Sequence, residues 1–419
     1  MVVGVVVYKF EMNTTSSGDI EPEFKVVVSQ FSEEKREIDN SDLITIDDQY
    51  GLFFNHTTGS SFKKVDENSK NLFVGRLKET PYKIISHYHQ EMDESQYLIV
   101  TFFELDEDLG LHEKVVNKML ENFESIFSEK MQGNLKDIRF VNSINRKMKK
   151  EISYAIFQMD RLSNMEKIQK AALIFASETR LKVLEMLRKG PISRIVLREQ
   201  IESIKQNPNL DLILKPFLEL NLVRRDWAKG YRDRNLGMMV GEGEYLFLIK
   251  DIALARKIPK KIYEDMRQNP RIGEKYLDYV NTFYSNYDPF QNLLEESKNL
   301  APLLLEPDVY DFMELLKTST YPLVKIPKIT SEFVEVESVL DTLQEGGVVK
   351  VLEDDQERKW VCLIAEIVPL VTFPEFLVGN IVELLQSSED STHIYFLTEE
   401  IAETGLNLLE TTYNETVEF

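Results

Sequence analysis

Residues 175–193 read FASETRLKVLEMLRKGPIS, and this stretch decides how the middle of the chain folds. Ser177 stands at a helix N-cap position, and Arg180, Leu181, Val183, Leu184 and Leu187 follow at helical spacing. Gly190 ends the run, and Pro191 begins a new segment. Downstream, Ile195–Ile204 has the pattern of a second short helix. Asn209–Val223 (NLDLILKPFLELNLV) has that of a third. Pro216 inside that third helix should kink or shorten it. A polar run, RRDWAKGYRDR from Arg224 to Arg234, turns at Gly230, and Glu244–Ile249 (EYLFLI) returns as a strand.

Three helices followed by a two-stranded hairpin give the order of a winged helix. The run SETRLKVLEML, the segment LKPFLELNLV and the return strand EYLFL resemble winged-helix regulators of the ArsR type over about residues 166–255. The resemblance implies a fold more firmly than an activity. In that family the start of the third helix presents polar or basic side chains to DNA. Here it is Leu210, Asp211, Leu212 and Ile213, apolar and acidic. These four are instead candidates for a protein contact. The hairpin keeps a nucleic-acid reading open, because Arg224, Arg225, Lys229, Arg232 and Arg234 interleave with Trp227 and Tyr231. The same cations suit an acidic protein surface.

The segment Leu214–Val223 has an echo in Leu340–Val349 (LDTLQEGGVV). In both, a helix ends in a turn and an aliphatic pair enters a strand. With a first helix at Val309–Leu316, an acidic hairpin tip at Glu353–Glu357 and a return strand Lys359–Ile364, a second winged helix is expected over residues 303–373. Its third-helix region carries Glu332, Glu335, Glu337 and Asp341, which would repel phosphate.

The N-terminal third reads mainly as strand. Val2–Phe10, Phe24–Phe31, Leu72–Arg76, Tyr82–Tyr88 and Tyr97–Leu105 are apolar or alternating runs, and Leu43–Phe54 is mixed. An amphipathic helix follows, with Val115, Val116, Met119, Leu120, Phe123, Ile126 and Phe127 on one face. A sheet of five strands closed by a helix is an α+β sandwich. The runs GVVVYKF, FKVVVSQF and YLIVTFFEL with the helix after them resemble the longin and roadblock domains over residues 1–130. The resemblance implies a platform for small GTPases or like domains, with no catalytic residues to transfer. The helix that longin domains place between their second and third strands is not visible in the pattern.

The 419 residues therefore divide into a longin-like domain (1–130), a basic helical linker (131–165) and a winged helix (166–260). A helical connector (261–302), a second winged helix (303–373) and a C-terminal helix–strand–helix with an acidic tail (374–419) follow. The linker carries Arg146, Lys147, Lys149 and Lys150 within a helix expected over Ile144–Met159. In the last segment, helices are expected over Pro374–Gln386 and Glu399–Leu409, with a strand over His393–Leu397 between them.

The formal net charge of −21 conceals a pattern. Residues 1–130 sum to −12, residues 131–280 to +11 and residues 281–419 to −20. Overall acidity argues against a nucleic-acid-coating protein but leaves the middle open. Blocks of opposite sign can also attract one another within a chain or between copies, so an oligomer is an open expectation. One cysteine, Cys362, excludes a disulfide framework, and its apolar strand implies a buried structural thiol. His87 and His89 share one strand face with no evident third ligand, so no metal site is assigned. There is no P-loop, dinucleotide fingerprint, nucleophile elbow or zinc-protease motif. The expectation is a cytoplasmic, non-enzymatic protein with no cofactor and no membrane span. Two function classes fit it. One is an adaptor whose longin-like part binds a small GTPase or a like domain and whose winged helices bind proteins, as in trafficking complexes. The other is a transcriptional regulator that binds DNA through residues 166–260.

Overall fold

The computed structural model describes residues 1–14, 20–35, 43–58, 72–76, 80–91, 95–133, 137–206, 208–232, 239–327, 336–387, 395 and 397–417. The valine-rich start forms β1 (Val2–Thr14), which pairs antiparallel with β2 (Ile20–Phe31) and with β5 (Gln96–Phe103). With β3 (Leu72–Arg76) and β4 (Lys83–Gln90) they make one sheet in the order β2-β1-β5-β4-β3. Val2, Val3, Val5, Val6, Val7 and Tyr8 are all buried, because both faces of the central strands are covered. On one face Val6, Tyr8, Leu98, Val100 and Phe102 pack with Leu52 of α1 (Ile46–Thr58). On the other, Tyr97 and His89 stack on Phe127 of α2 (Glu113–Gln132), at 4.9 and 4.6 Å between centroids.

Two sequence readings change in this region. The stretch Leu43–Phe54 that read as mixed overlaps α1, which runs on to Thr58, so a helix does lie between the second and third strands. Its pattern was obscured because Ile46 and Phe54 point outward while Phe53 stacks on Phe10 at 4.5 Å. The expected linker helix is α3 (Ile138–Ser163), and it belongs to the compact unit Met1–Asn164. Its Ile144, Met148, Ile152, Ile156 and Met159 are buried. Asn122 of α2 donates to Glu151 of α3 at 2.8 Å, and Lys147 pairs with Glu129 at 2.6 Å. Arg146, Lys149 and Lys150 form the outer face of this packed helix.

The second compact unit, Met165–Phe419, holds everything else. It begins with α4 (Lys167–Phe175), α5 (Glu178–Leu187), β6 (Ile192–Ser193), α6 (Arg194–Glu202) and α7 (Leu210–Glu219). Ser177 caps α5 by accepting from the Arg180 amide at 3.4 Å. Pro216 lies inside α7, which ends one turn later and gives way to strand at Val223. Then come β7 (Val223–Ala228), the short β8 (Tyr231–Arg232) and β9 (Met239–Val240), β10 (Gly243–Leu248) and β11 (Asp251–Lys257). The first sheet of this unit is antiparallel in the order β6-β10-β7. Helices α8 (Lys260–Arg267) and α9 (Gly273–Ser285) complete this half.

Much of this order then repeats, with the 3₁₀ turn Leu323–Lys325 after the first short strand where the first copy has α6. It runs α10 (Leu293–Leu305), α11 (Pro307–Thr318), β12 (Tyr321–Pro322), α12 (Val336–Glu345), β13 (Val349–Glu353), β14 (Lys359–Leu363) and β15 (Glu366–Thr372). Two helices again follow, α13 (Phe376–Ser387) and α14 (Glu399–Val417). The sheet order β12-β14-β13 is that of β6-β10-β7 one repeat later. The correspondence extends to single bonds. Asn221 and Gly347, 126 residues apart, both take positive φ at 53° and 62°. The next amide in each copy, Leu222 or Val348, donates to Phe217 or Leu343 at 2.8 or 3.0 Å.

The copies join through β11 and β15, which pair antiparallel from Asp251↔Thr372 to Lys257↔Glu366. Leu254 pairs with Pro369 at the midpoint, and these two residues are each other's counterparts in the repeat. The junction is therefore a local pseudo-two-fold axis. Across it the copies exchange helices. Helices α8 and α9 of the first copy supply Ile262, Met266, Tyr276 and Val280 to a core with Cys362 and Ile364 of the second. Helices α13 and α14 pack back on the first, where Asn380 donates to the Arg188 carbonyl at 3.1 Å. The former connector, residues 261–302, is thus the cover of one sheet and the start of the next repeat. The strand expected over His393–Leu397 lies mostly outside the described residues.

Candidate functional site: the outward stripes of the third helices

Each repeat contributes one helix, α7 or α12, in the third-helix position. In α7 the buried face is Leu210, Ile213, Leu214 and Phe217. Leu210 and Ile213 are thus core residues, and of the four expected contact residues only Asp211 is exposed and Leu212 half-buried. The periodic pattern that places them on a helix also turns two of them inward. The exposed ridge of α7 is Asp211, Lys215 and Glu219, at a spacing of four. At the equivalent positions 126 residues later, α12 exposes Glu337, Asp341 and Glu345.

Asp211 is further engaged by cations that the fold brings to it. Its carboxylate accepts from Arg194, at the start of α6, at 2.8 Å and from Arg225 of β7 at 3.1 Å. Glu244 of β10 pairs with the same two arginines, at 2.8 Å to Arg194 and 3.7 Å to Arg225. Two anions and two cations alternate in a ring on the surface. The Glu244 hydrogen bond, followed by the charge of Asp211, raises the pKa of Arg194. Such an exposed network adds little stability and is screened by salt. Its consequence is geometric, since Arg225 is oriented along the protein surface with its charge balanced.

Of the other hairpin cations, Arg224 and Lys229 are exposed. Arg224 and Arg225 are neighbours on a strand and so point to opposite faces. Trp227 is 62% exposed beside them. Arg232 is described only in its backbone, and Arg234 lies outside the described residues. The five hairpin cations are therefore not gathered into one patch by the residues described.

Elsewhere, the Cys362 thiol is fully buried and burial pushes its pKa up to about 12, as suits a packing group. His87 and His89 project from the sheet face where His89 stacks on Phe127. Among the described residues no three His, Cys, Asp or Glu side chains are grouped to hold a metal ion, and no helix is long and apolar enough to cross a membrane. Neither Arg194 nor Glu244 had been singled out in the sequence, because the ring draws on elements up to 50 residues apart. The stripes could have been found from their i, i+4 spacing and their 126-residue repeat. The chain matches no protein-family model, no curated protein and no solved structure.

Proposed function

We propose that this chain is a non-enzymatic adaptor: a longin-like platform followed by two fused winged helices that contact proteins. The observation that carries this reading is the charge of the two outward stripes. The positions with which a DNA-reading winged helix meets the duplex are Asp-Lys-Glu in one repeat and Glu-Asp-Glu in the other. Carboxylates there would face phosphate at close range. The sheet order β6-β10-β7, repeated as β12-β14-β13, supports the winged-helix assignment of both copies. The order β2-β1-β5-β4-β3, with α1 between β2 and β3, supports the longin-like one, which in turn favours a small GTPase or a like domain as partner.

The second reading, DNA binding through the hairpin, draws on exposed Arg224, Lys229 and Trp227. Duplex-DNA binding by the full chain across a salt series separates the two. The adaptor reading expects weak, sequence-blind affinity that vanishes with salt. A dissociation constant below about 10⁻⁷ M at physiological salt, lost on Arg224→Ala/Arg225→Ala/Arg232→Ala, would overturn it. For the platform, purified small GTPases in each nucleotide state are expected to bind the chain. Failure of a broad panel to bind removes the GTPase assignment.

A further inference from the structure

Helix α3 carries six Lys or Arg and two acids in a chain whose net charge is −21. Its Arg139, Arg146, Lys147, Lys149 and Lys150 are exposed, whereas Glu151 is buried and Asp160 half-buried. No carboxylate stands among the fully exposed residues of this helix. At 3.6 residues per turn, Arg139, Arg146 and Lys150 fall within about 40° of one another and form one outward line. Helix α2 beside it exposes Glu121, Glu124 and Glu129, and Glu129 pairs with Lys147 at 2.6 Å. The cations therefore form a strip one helix wide, bounded on the α2 side by acids. Such a strip suits an anionic helix better than the broad phosphate plane of a membrane.

The chain itself carries a strip of opposite sign. Helix α14 contains no Lys or Arg and exposes Glu399, Glu400, Glu403, Glu410 and Glu415. The repeat does not demand this charge, because α9, the last helix of the first copy, exposes Lys275 with Glu274 and Asp278. Glu399, Glu403 and Glu410 also fall within about 40° of one another. The three cations of α3 are separated by seven and then four residues, and the three acids of α14 by four and then seven. With the same rise per residue, two antiparallel helices bring these spacings into step. Arg139 then stands opposite Glu410, Arg146 opposite Glu403 and Lys150 opposite Glu399.

We propose that this chain associates with a second copy of itself through α3 of one copy and α14 of the other, packed antiparallel. Charge complementarity selects this occupant, because the cationic line calls for an anionic line of its own spacing and α14 provides one. Both lines are exposed in the single chain and so are open to another copy. Exposed ion pairs are individually weak and screened by salt, so the association is reversible and fades as ionic strength rises. The inference does not depend on the adaptor reading, since it uses neither the third helices nor the basic hairpin.

The test is sedimentation velocity of the full chain from about 10 to about 300 μM, at about 50 and about 300 mM salt. The wild type is expected to self-associate with rising concentration at the lower salt and to sediment as a monomer at the higher. Arg139→Glu/Arg146→Glu/Lys150→Glu should weaken self-association at least tenfold, and so should Glu399→Lys/Glu403→Lys/Glu410→Lys. An equimolar mixture of the two reversed chains should associate again. One chain carrying all six changes, at the wild-type net charge, should self-associate within about threefold of the wild type. Should a reversed chain melt at a lower temperature, Arg139→Gln/Arg146→Gln/Lys150→Gln gives the same readout with little change in helix propensity. A wild type that stays monomeric at the lower salt overturns the proposal. So does association that survives either reversal, or that neither the mixture nor the six-change chain restores. Tight DNA binding in the earlier assay would overturn the adaptor reading and leave this result to stand on its own.

Discussion

Arg256 is the side chain on which the geometry of the second repeat turns. It leaves β11 near the pseudo-two-fold axis with only 11% of its side chain exposed. Its Nε donates to Glu296 of α10 at 2.5 Å, and one Nη donates to the carbonyls of Gly346, at 2.8 Å, and Gly347. Those carbonyls lie at the C-terminal end of α12, where helical acceptors lack intrahelical partners. Arg256→Met keeps much of the aliphatic stem and removes the charge and the donors. Breaking a buried ion pair costs about 3–5 kcal/mol. The Glu296 side chain is 19% exposed and can regain water, which favours the lower end of that range, about 3 kcal/mol. The pair should show coupling: Arg256→Met with Glu296→Gln should cost about 1 kcal/mol less than the sum of the single changes. Urea unfolding followed by hydrogen exchange resolves the effect, with the loss expected in peptides covering Val336–Glu353 and not in Met1–Asn164. A loss below about 1 kcal/mol, or equal loss in both units, would refute this account of α12 and of the stripe it carries.

The exchanged helices predict that Tyr276→Phe weakens the second repeat by about 1–2 kcal/mol, since the buried hydroxyl donates to the Leu363 carbonyl at 2.8 Å; faster exchange in β14 is the readout. His56 is held down to a pKa of about 4, by burial first and by His87 second, with Ser86 at 2.9 Å from its ring. Its folded pKa lies below the unfolded value, so its contribution is complete above pH 6.5 and fades as pH falls towards 4. At about 1.4 kcal/mol per unit this amounts to at most about 3 kcal/mol, and urea midpoints from pH 7 to 4 should fall more steeply for wild type than for His56→Gln. At the tip of the second hairpin, Asp354 accepts from the indole of Trp360 at 3.0 Å, the amides of Arg358 and Gln356, and the Arg358 guanidinium. These bonds outweigh burial and hold its carboxyl below the usual range. Asp354→Ala should therefore raise exchange across Glu353–Trp360 with no change in β7 or β10.

Local signals were legible wherever one segment carried its own evidence. The Ser177 cap and the apolar spacing after it placed α5, and the echo at 126 residues placed α12 and β13. Helix α1 was missed because its apolar residues point in several directions, and only a covering sheet shows which are inward. Helix α3 read as a solvated linker because its lysines are conspicuous, whereas Ile144, Met148 and Ile152 on its other side find a sheet. Of the four residues expected to make a third-helix contact, Asp211 is exposed and Leu212 half-buried, but Leu210 and Ile213 turn into the core.

Apart from α1, residue order alone thus determined most of the helices, the hairpins, the repeat and the acidic character of both third helices, since each follows from periodicity, capping and charge within a few turns of chain. Only the tertiary structure decided that β11 and β15 pair about Leu254 and Pro369 and that the copies trade their terminal helices. It also closed Arg194, Asp211, Arg225 and Glu244 into a ring. These are relations between segments 14 to 192 residues apart, set by which surfaces bury one another, and no local pattern encodes them.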